Sequence, residues 1–115
     1  MHEPLWQAFD FGRGDLRAKN STFMGPMTLA TAEPDGRLND WIVEWYRARA
    51  KGGVGSIIGA AAAVHASGFG WANAMTIHTD DHIDGWKRCV DAAHADGVLF
   101  GTQLYHGGAA SHDAL

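Results

Sequence analysis

Apolar and polar side chains alternate through residues 5–18 and reverse at Gly12-Arg13-Gly14, a pattern that predicts a β-hairpin. Residues 21–25, Ser-Thr-Phe-Met-Gly, predict a short buried strand that stops at Pro26, which has no N–H to give a ladder. Glu33-Pro34-Asp35-Gly36 is a turn, with proline setting φ and glycine taking the position other residues avoid. Asn39 or Asp40 then caps a helix whose apolar face reads as Trp41, Trp45 and Ala48, flanked by Ile42 and Tyr46. Arg47, Arg49 and Lys51 suit the negative end of its dipole, and Gly52-Gly53 ends it. Val54 to Ala63 is small and apolar throughout, which predicts a strand buried on both faces. Residues 64–78 show no period and read as a long loop. Thr79-Asp80-Asp81 opens a second helix, with the hydroxyl as its cap and acids in the first turn. Ile83, Trp86, Val90 and Ala93 recur at helical spacing and form its expected buried face, before Asp96-Gly97 closes it. Val98 to Tyr105 is a further strand, and His106-Gly107-Gly108 begins another loop.

The order is hairpin, β, α, β, α, β. Strands alternating with helices of this length imply right-handed crossovers and a parallel sheet, hence an α/β fold. Two helices cannot cover three parallel strands on both faces, and the last strand has no helix after it. The expectation is therefore one unit over residues 1–115, whose missing layers come either from another chain or from a longer protein.

Length and composition narrow this further. The chain has 115 residues, 46% hydrophobic and 19% charged, in the ordinary range for a globular domain. A net charge of −4 argues against a nucleic-acid partner, which normally needs an excess of Lys and Arg. No apolar run approaches the roughly 20 residues that span a bilayer, so no membrane partner is expected. Met1-His2-Glu3-Pro4 lacks the basic start and apolar stretch of a signal peptide. Cys89 is the one cysteine, which rules out a disulfide within the chain and favours a reducing, cytoplasmic setting. It reads as a packed helix residue.

Candidate chemistry lies at the C-terminal ends of the strands, where α/β sheets and barrels bind ligands. Those ends are Gly25-Pro26-Met27-Thr28, Gly59-Ala60-Ala61-Ala62 and Thr102-Gln103-Leu104-Tyr105-His106. One offers a hydroxyl beside exposed backbone, one offers small side chains, and one offers an amide. A flat, uncharged heterocycle suits that set: Thr28 can donate to a ring oxygen, Gln103 can pair with an imide edge, and Ala61 lets the plane lie close. Taken alone, the same residues also read as plain strand-end side chains. The glycines do not form a GxGxxG before a helix, so a dinucleotide fold of that type is not indicated. His78, His82, His106 and His112 beside Asp80 and Asp81 do not make a closed ligand set, and no metal site is expected. His106 reads as a loop residue satisfied by backbone, and Trp41, Trp45 and Trp86 as core.

At these residues the chain resembles the Old Yellow Enzyme family, the NADH:flavin oxidoreductases. Lys19-Asn20 through Gly25-Pro26-Met27-Thr28 is similar to the family's "KNR…APMT" first strand. Gly36-Arg37-Leu38-Asn39-Asp40 through Glu44-Trp45-Tyr46-Arg47-Ala48-Arg49-Ala50 resembles its first helix, and Gly52-Gly53-Val54-Gly55 the entry to its second strand. Asn73-Ala74, Thr79-Asp80-Asp81 and Gly85-Trp86-Lys87 match the approach to its second helix, and Gln103-Leu104-Tyr105-His106-Gly107-Gly108 its third-strand "QLxHxG" motif. The resemblance runs in order from about Leu5 to His112.

It implies the N-terminal part of a (β/α)8 TIM barrel that holds FMN at its top, with the hairpin closing the bottom. Pro26 and Met27 would offer backbone to the flavin, and Thr28 would hydrogen-bond near its O4 and N5. Ala61 takes the small-residue position beside the ring, Gln103 would bind the pyrimidine edge, and Tyr105 would line the substrate pocket. In such enzymes NADH or NADPH reduces FMN, and hydride passes from N5 to the β-carbon of an activated alkene, a small-molecule substrate. Departures occur at Ala60, where the family often has Glu, and at Ala109, where it often has Arg. The family's substrate-carbonyl pair, proton-donating Tyr and phosphate-binding basic groups would lie past Leu115, so catalytic residues are not assigned. Self-association or a complementing barrel segment is the non-enzymatic expectation, argued from open sheet edges, and a truncated product without independent function is the other alternative.

Overall fold

The computed structural model describes residues 3–111; His112 and the residues after it lie outside that range. A single helical turn, α1 (Glu3–Trp6), precedes a two-stranded antiparallel hairpin, β1 (Phe9–Asp10) and β2 (Arg17–Ala18). The hairpin thus begins at Phe9, not Leu5. Gly12 and Gly14 at its tip have φ of 68° and 55°, and the Asp10 carboxylate accepts from the Gly12 N–H at 2.7 Å.

The body is a four-stranded sheet built around β4 (Ser56–Ala63). On one edge β3 (Phe23–Met24) pairs with its first residues, and β5 (Met75–Thr76) with its last two. On the other edge β6 (Leu99–Tyr105) runs its whole length, and all three pairings are parallel. Strand β5 falls inside the stretch expected to be loop. Two residues show no periodicity, and only their ladder with Ala62 and Ala63 makes them a strand. Strand β3 was expected to be buried, yet Phe23 is 57% exposed. The hydrophobic run spoke for burial, whereas the described residues leave more than half of Phe23 open.

Helices α2 (Asp40–Lys51) and α3 (Ile83–His94) pack together on one face of the sheet. Asn39 caps α2, its side-chain oxygen accepting from the Ile42 N–H at 3.2 Å. The buried face of α2 is Ile42, Val43, Tyr46 and Ala50, not the Trp41, Trp45 and Ala48 stripe. The two stripes share a period but lie roughly 150° apart around a helix of 100° per residue. Trp41 is 53% exposed, and Trp45 is half-buried under the Arg49 guanidinium, 3.5 Å from its ring centre. Tyr46 takes the inner position because its ring fills the core while its hydroxyl reaches a backbone donor in the sheet.

In α3 the expected Trp86 and Ala93 are buried, together with Cys89 and Ala92, whereas Ile83 is 60% exposed and Val90 half-buried. The stripe is turned toward Cys89, which is fully buried and free as expected. The helix is opened by a 3-10 turn over Asp80–His82. Thr79 stands at its N-cap, but the hydroxyl does not cap backbone; it meets His82 Nδ1 at 2.8 Å instead.

Candidate functional site

The site begins with a break in the β4–β6 ladder. Gly59 pairs with Thr102, but the next pair is Ala61 with Gln103, so Ala60 is the extra residue of a bulge. Its backbone is fully satisfied. Tyr46 Oη accepts from the Ala60 N–H at 2.7 Å, and the Thr102 hydroxyl donates to the Ala60 carbonyl at 2.8 Å. Burial raises the Tyr46 hydroxyl to about 12, although the Ala60 N–H opposes the rise, so it stays protonated. Gly59 permits this approach, since a Cβ there would stand 3.1 Å from both Tyr46 Oη and the Phe100 ring.

The bulge decides which side chains reach the open face. Ile57, Ala60 and Ala62 join the core under the helices, with Phe100 packed against them. Ala61 therefore turns the other way, and its register partner Gln103 shares that face. Tyr105, two residues on, shares it too. Ala61 is 7% exposed, while Gln103 is exposed, so a small floor lies beside a free amide.

On the other edge, Pro26, Met27 and Thr28 follow β3 as exposed chain without regular structure. Met24 is the partner of Ile57; four residues beyond each stand Thr28 and Ala61, so the segment runs toward the level of the floor. Among the described residues, neither the Thr28 hydroxyl nor the Gln103 amide is engaged by another side chain or backbone group, and both are available to a ligand.

Beyond Gln103 on the same face stands Tyr105. Its ring lies 5.0 Å from Trp71, tilted by 47°, and its hydroxyl sits against Gly70, where a Cβ would be 2.3 Å away. Sequence reasoning missed Trp71; an aromatic inside a glycine-rich loop was the available signal. His106, expected to be satisfied by backbone, accepts from the Gly108 N–H at Nδ1, 3.0 Å, and also contacts Ser67 Oγ at 3.2 Å. His78 titrates below the ordinary histidine range, first through desolvation and then through the neighbouring His82 and His65.

Residues 4–115 match the model of the NADH:flavin oxidoreductase / NADH oxidase family, and the chain belongs to that family. It is a family of FMN flavoproteins that draw on a nicotinamide reductant, as the resemblance implied. A metal reductase of Desulforamulus reducens is 38% identical over 103 residues, which are 89% of this chain and 15% of that protein. The 12-oxophytodienoate reductase 7 of Oryza sativa subsp. japonica is 33% identical over 95% of this chain and 27% of its own length. Among solved structures, the Old Yellow Enzyme homologue of Zymomonas mobilis superposes with a TM-score of 0.80 at 32% identity, over 89% of this chain and 28% of that one. Morphinone reductase in complex with tetrahydroNAD gives 0.82 at 31%, over 94% and 28%. The α/β architecture is accordingly that of part of a TIM barrel, and the chain spans less than a third of each of these relatives.

The donor set fits a flavin. Ala61 brings only a methyl group to that face, and Gln103 presents a donor and an acceptor together at one edge. Among the described residues, no helix is long and apolar enough to cross a membrane.

Proposed function

We propose that this chain is the N-terminal part of a flavin-binding barrel in which Pro26, Met27, Thr28, Ala61 and Gln103 hold FMN, and Tyr105 lines the substrate pocket. The observation that carries this reading is the bulge at Ala60, which turns Ala61 and Gln103 together onto the face away from the helices. When bound, FMN supplies hydride transfer between a nicotinamide and an activated alkene; the protein orients it. Ala61 leaves room for the ring plane, and the Gln103 amide pairs with the pyrimidine edge through one donated and one accepted hydrogen bond. Thr28 would donate near the flavin O4 and N5, and the backbone of Pro26 and Met27 would close that side. Tyr105, backed by Trp71, keeps a flat substrate stacked over the ring. The whole reaction would be ene-reduction by NADH or NADPH.

The test is an FMN titration of the chain, alone and mixed with the remaining segment of a family barrel, followed by quenching of flavin fluorescence. Saturable quenching that weakens about tenfold in Gln103→Ala is the expected result, a loss of about 1.4 kcal/mol. No quenching in either mixture would sink the reading. A non-enzymatic role by association is the second reading, favoured by Leu104, which is 68% exposed on the uncovered outer side of β6. Light scattering that shows only monomer would exclude it.

A further inference from the structure

His65, Ser67 and His106 come from two loops that leave the same end of the sheet, the first two after β4 and the third after β6. Their hydrogen bonds run in one direction. The Gly108 N–H donates to His106 Nδ1 at 3.0 Å, so that nitrogen holds a lone pair and the neutral ring carries its proton on Nε2. Nε2 then donates to Ser67 Oγ at 3.2 Å. On the far side, the Ser67 N–H donates to His65 Nδ1 at 3.1 Å, which makes that nitrogen an acceptor as well, and the Ser67 hydroxyl donates into it at 2.9 Å. Each proton in the chain from His106 through Ser67 to His65 has one place to go.

Backbone bonds run alongside, from Gly107 N–H to the Gly68 carbonyl at 2.9 Å and from Val64 N–H to the Tyr105 carbonyl at 3.0 Å. The His106 ring packs against Gly68, where a Cβ would stand 2.7 Å from it. Two residues further along the same strip, Gly70 receives the Tyr105 hydroxyl and Trp71 its ring. The path of residues 65–71 is thereby tied to His106 at one end and sets the Tyr105–Trp71 contact at the other.

We propose that His65, Ser67 and His106 form a clasp of fixed hydrogen-bond polarity that positions the Tyr105–Trp71 wall, and through it limits the width of ligand that fits beside Gln103. Its role in ligand choice rests on the flavin reading above; the clasp itself does not. All three are positioning residues that touch neither cofactor nor substrate. The ligand class they favour is a flat, conjugated one that slides between the wall and the ring, while loosening the clasp admits thicker molecules.

The test compares three variants of the chain. Ser67→Ala breaks the link, His106→Phe keeps a ring over Gly68 without either nitrogen, and Ser67→Thr keeps the hydroxyl. Nitrogen-detected imidazole spectra of the parent chain should show His65 and His106 protonated at Nε2 alone when neutral. Amide exchange at Gly107 should rise at least tenfold in Ser67→Ala and His106→Phe, with a shifted Trp71 indole signal, and return in Ser67→Thr. Exchange at Ile58 and Thr102 inside the β4–β6 ladder should not move. Protonation at Nδ1 of either ring, unchanged Gly107 exchange, or an equal rise throughout the ladder each overturns the proposal, the last because it marks a general structural prop. An FMN titration of the parent chain, run in parallel, separates the two ideas. If FMN does not bind, the flavin reading fails while the exchange data still decide the clasp.

Discussion

The two faces of the central sheet are built from the same strands and behave in opposite ways. Under the helices, Ile57, Ala60, Ala62, Tyr46 and Cys89 are buried with every polar atom around the Ala60 bulge satisfied. On the other face, Ala61 stands beside the exposed Gln103 amide, with the half-buried Tyr105 further along. Stability is concentrated on one side and the residues proposed to hold flavin on the other, and the single extra residue at the bulge separates them. The contrast teaches that a bulge can change what a face presents by changing parity, since it moves Ala61 and not Ala60 onto the open face.

Substitutions on the two faces should therefore separate. Ile57→Ala empties a fully buried site under the helices and should cost about 2–5 kcal/mol in urea unfolding, the largest effect expected. Tyr46→Phe keeps the ring but strands the buried Ala60 N–H, and should cost about 1–3 kcal/mol by the same measurement. Gln103→Ala, on the open face, should shift stability by no more than about 0.5 kcal/mol, although FMN binding weakens. Equal destabilisation by the last two would break the contrast.

Two titration effects sharpen it at smaller scale. Burial lifts the Cys89 thiol to about 12, only slightly opposed by Arg88, so iodoacetamide at pH 8 should label it in urea and not in the folded chain. His78, half-buried just beyond β5, holds its proton less readily when folded than when unfolded. The unfolded chain then binds more protons over the range between the lowered and ordinary values, so stability present above that range is lost as pH falls through it. His78→Asn should flatten that acid-side part of the stability–pH curve, while Cys89→Ser should alter the curve only on its alkaline side.

What could be read in the residues was periodicity and local chemistry. Gly52-Gly53, Asp96-Gly97 and Asn39 marked helix ends correctly, because caps and glycines act within a turn or two of themselves. The Val54–Ala63 run announced a strand buried on both faces, and β4 is one. Which stripe of α2 turns inward was not legible, since Trp41-Trp45-Ala48 and Ile42-Tyr46-Ala50 have equal claims by spacing. The choice was made by a hydrogen bond across the layers, from the Ala60 N–H to Tyr46. Strand β5 was hidden because two residues carry no period.

By itself, then, the sequence determined the order of the longer elements, the ends of the two main helices, the parallel α/β plan and the strands that bear Ala61 and Gln103. Only the tertiary structure decided that Ala61 and Gln103 share a face and that Tyr105 has Trp71 behind it. It also decided that His65, Ser67 and His106 meet. Local signals fix what a residue's own backbone does, whereas register, bulge and loop packing arise from contacts between segments far apart in the chain, whose partners no local pattern specifies.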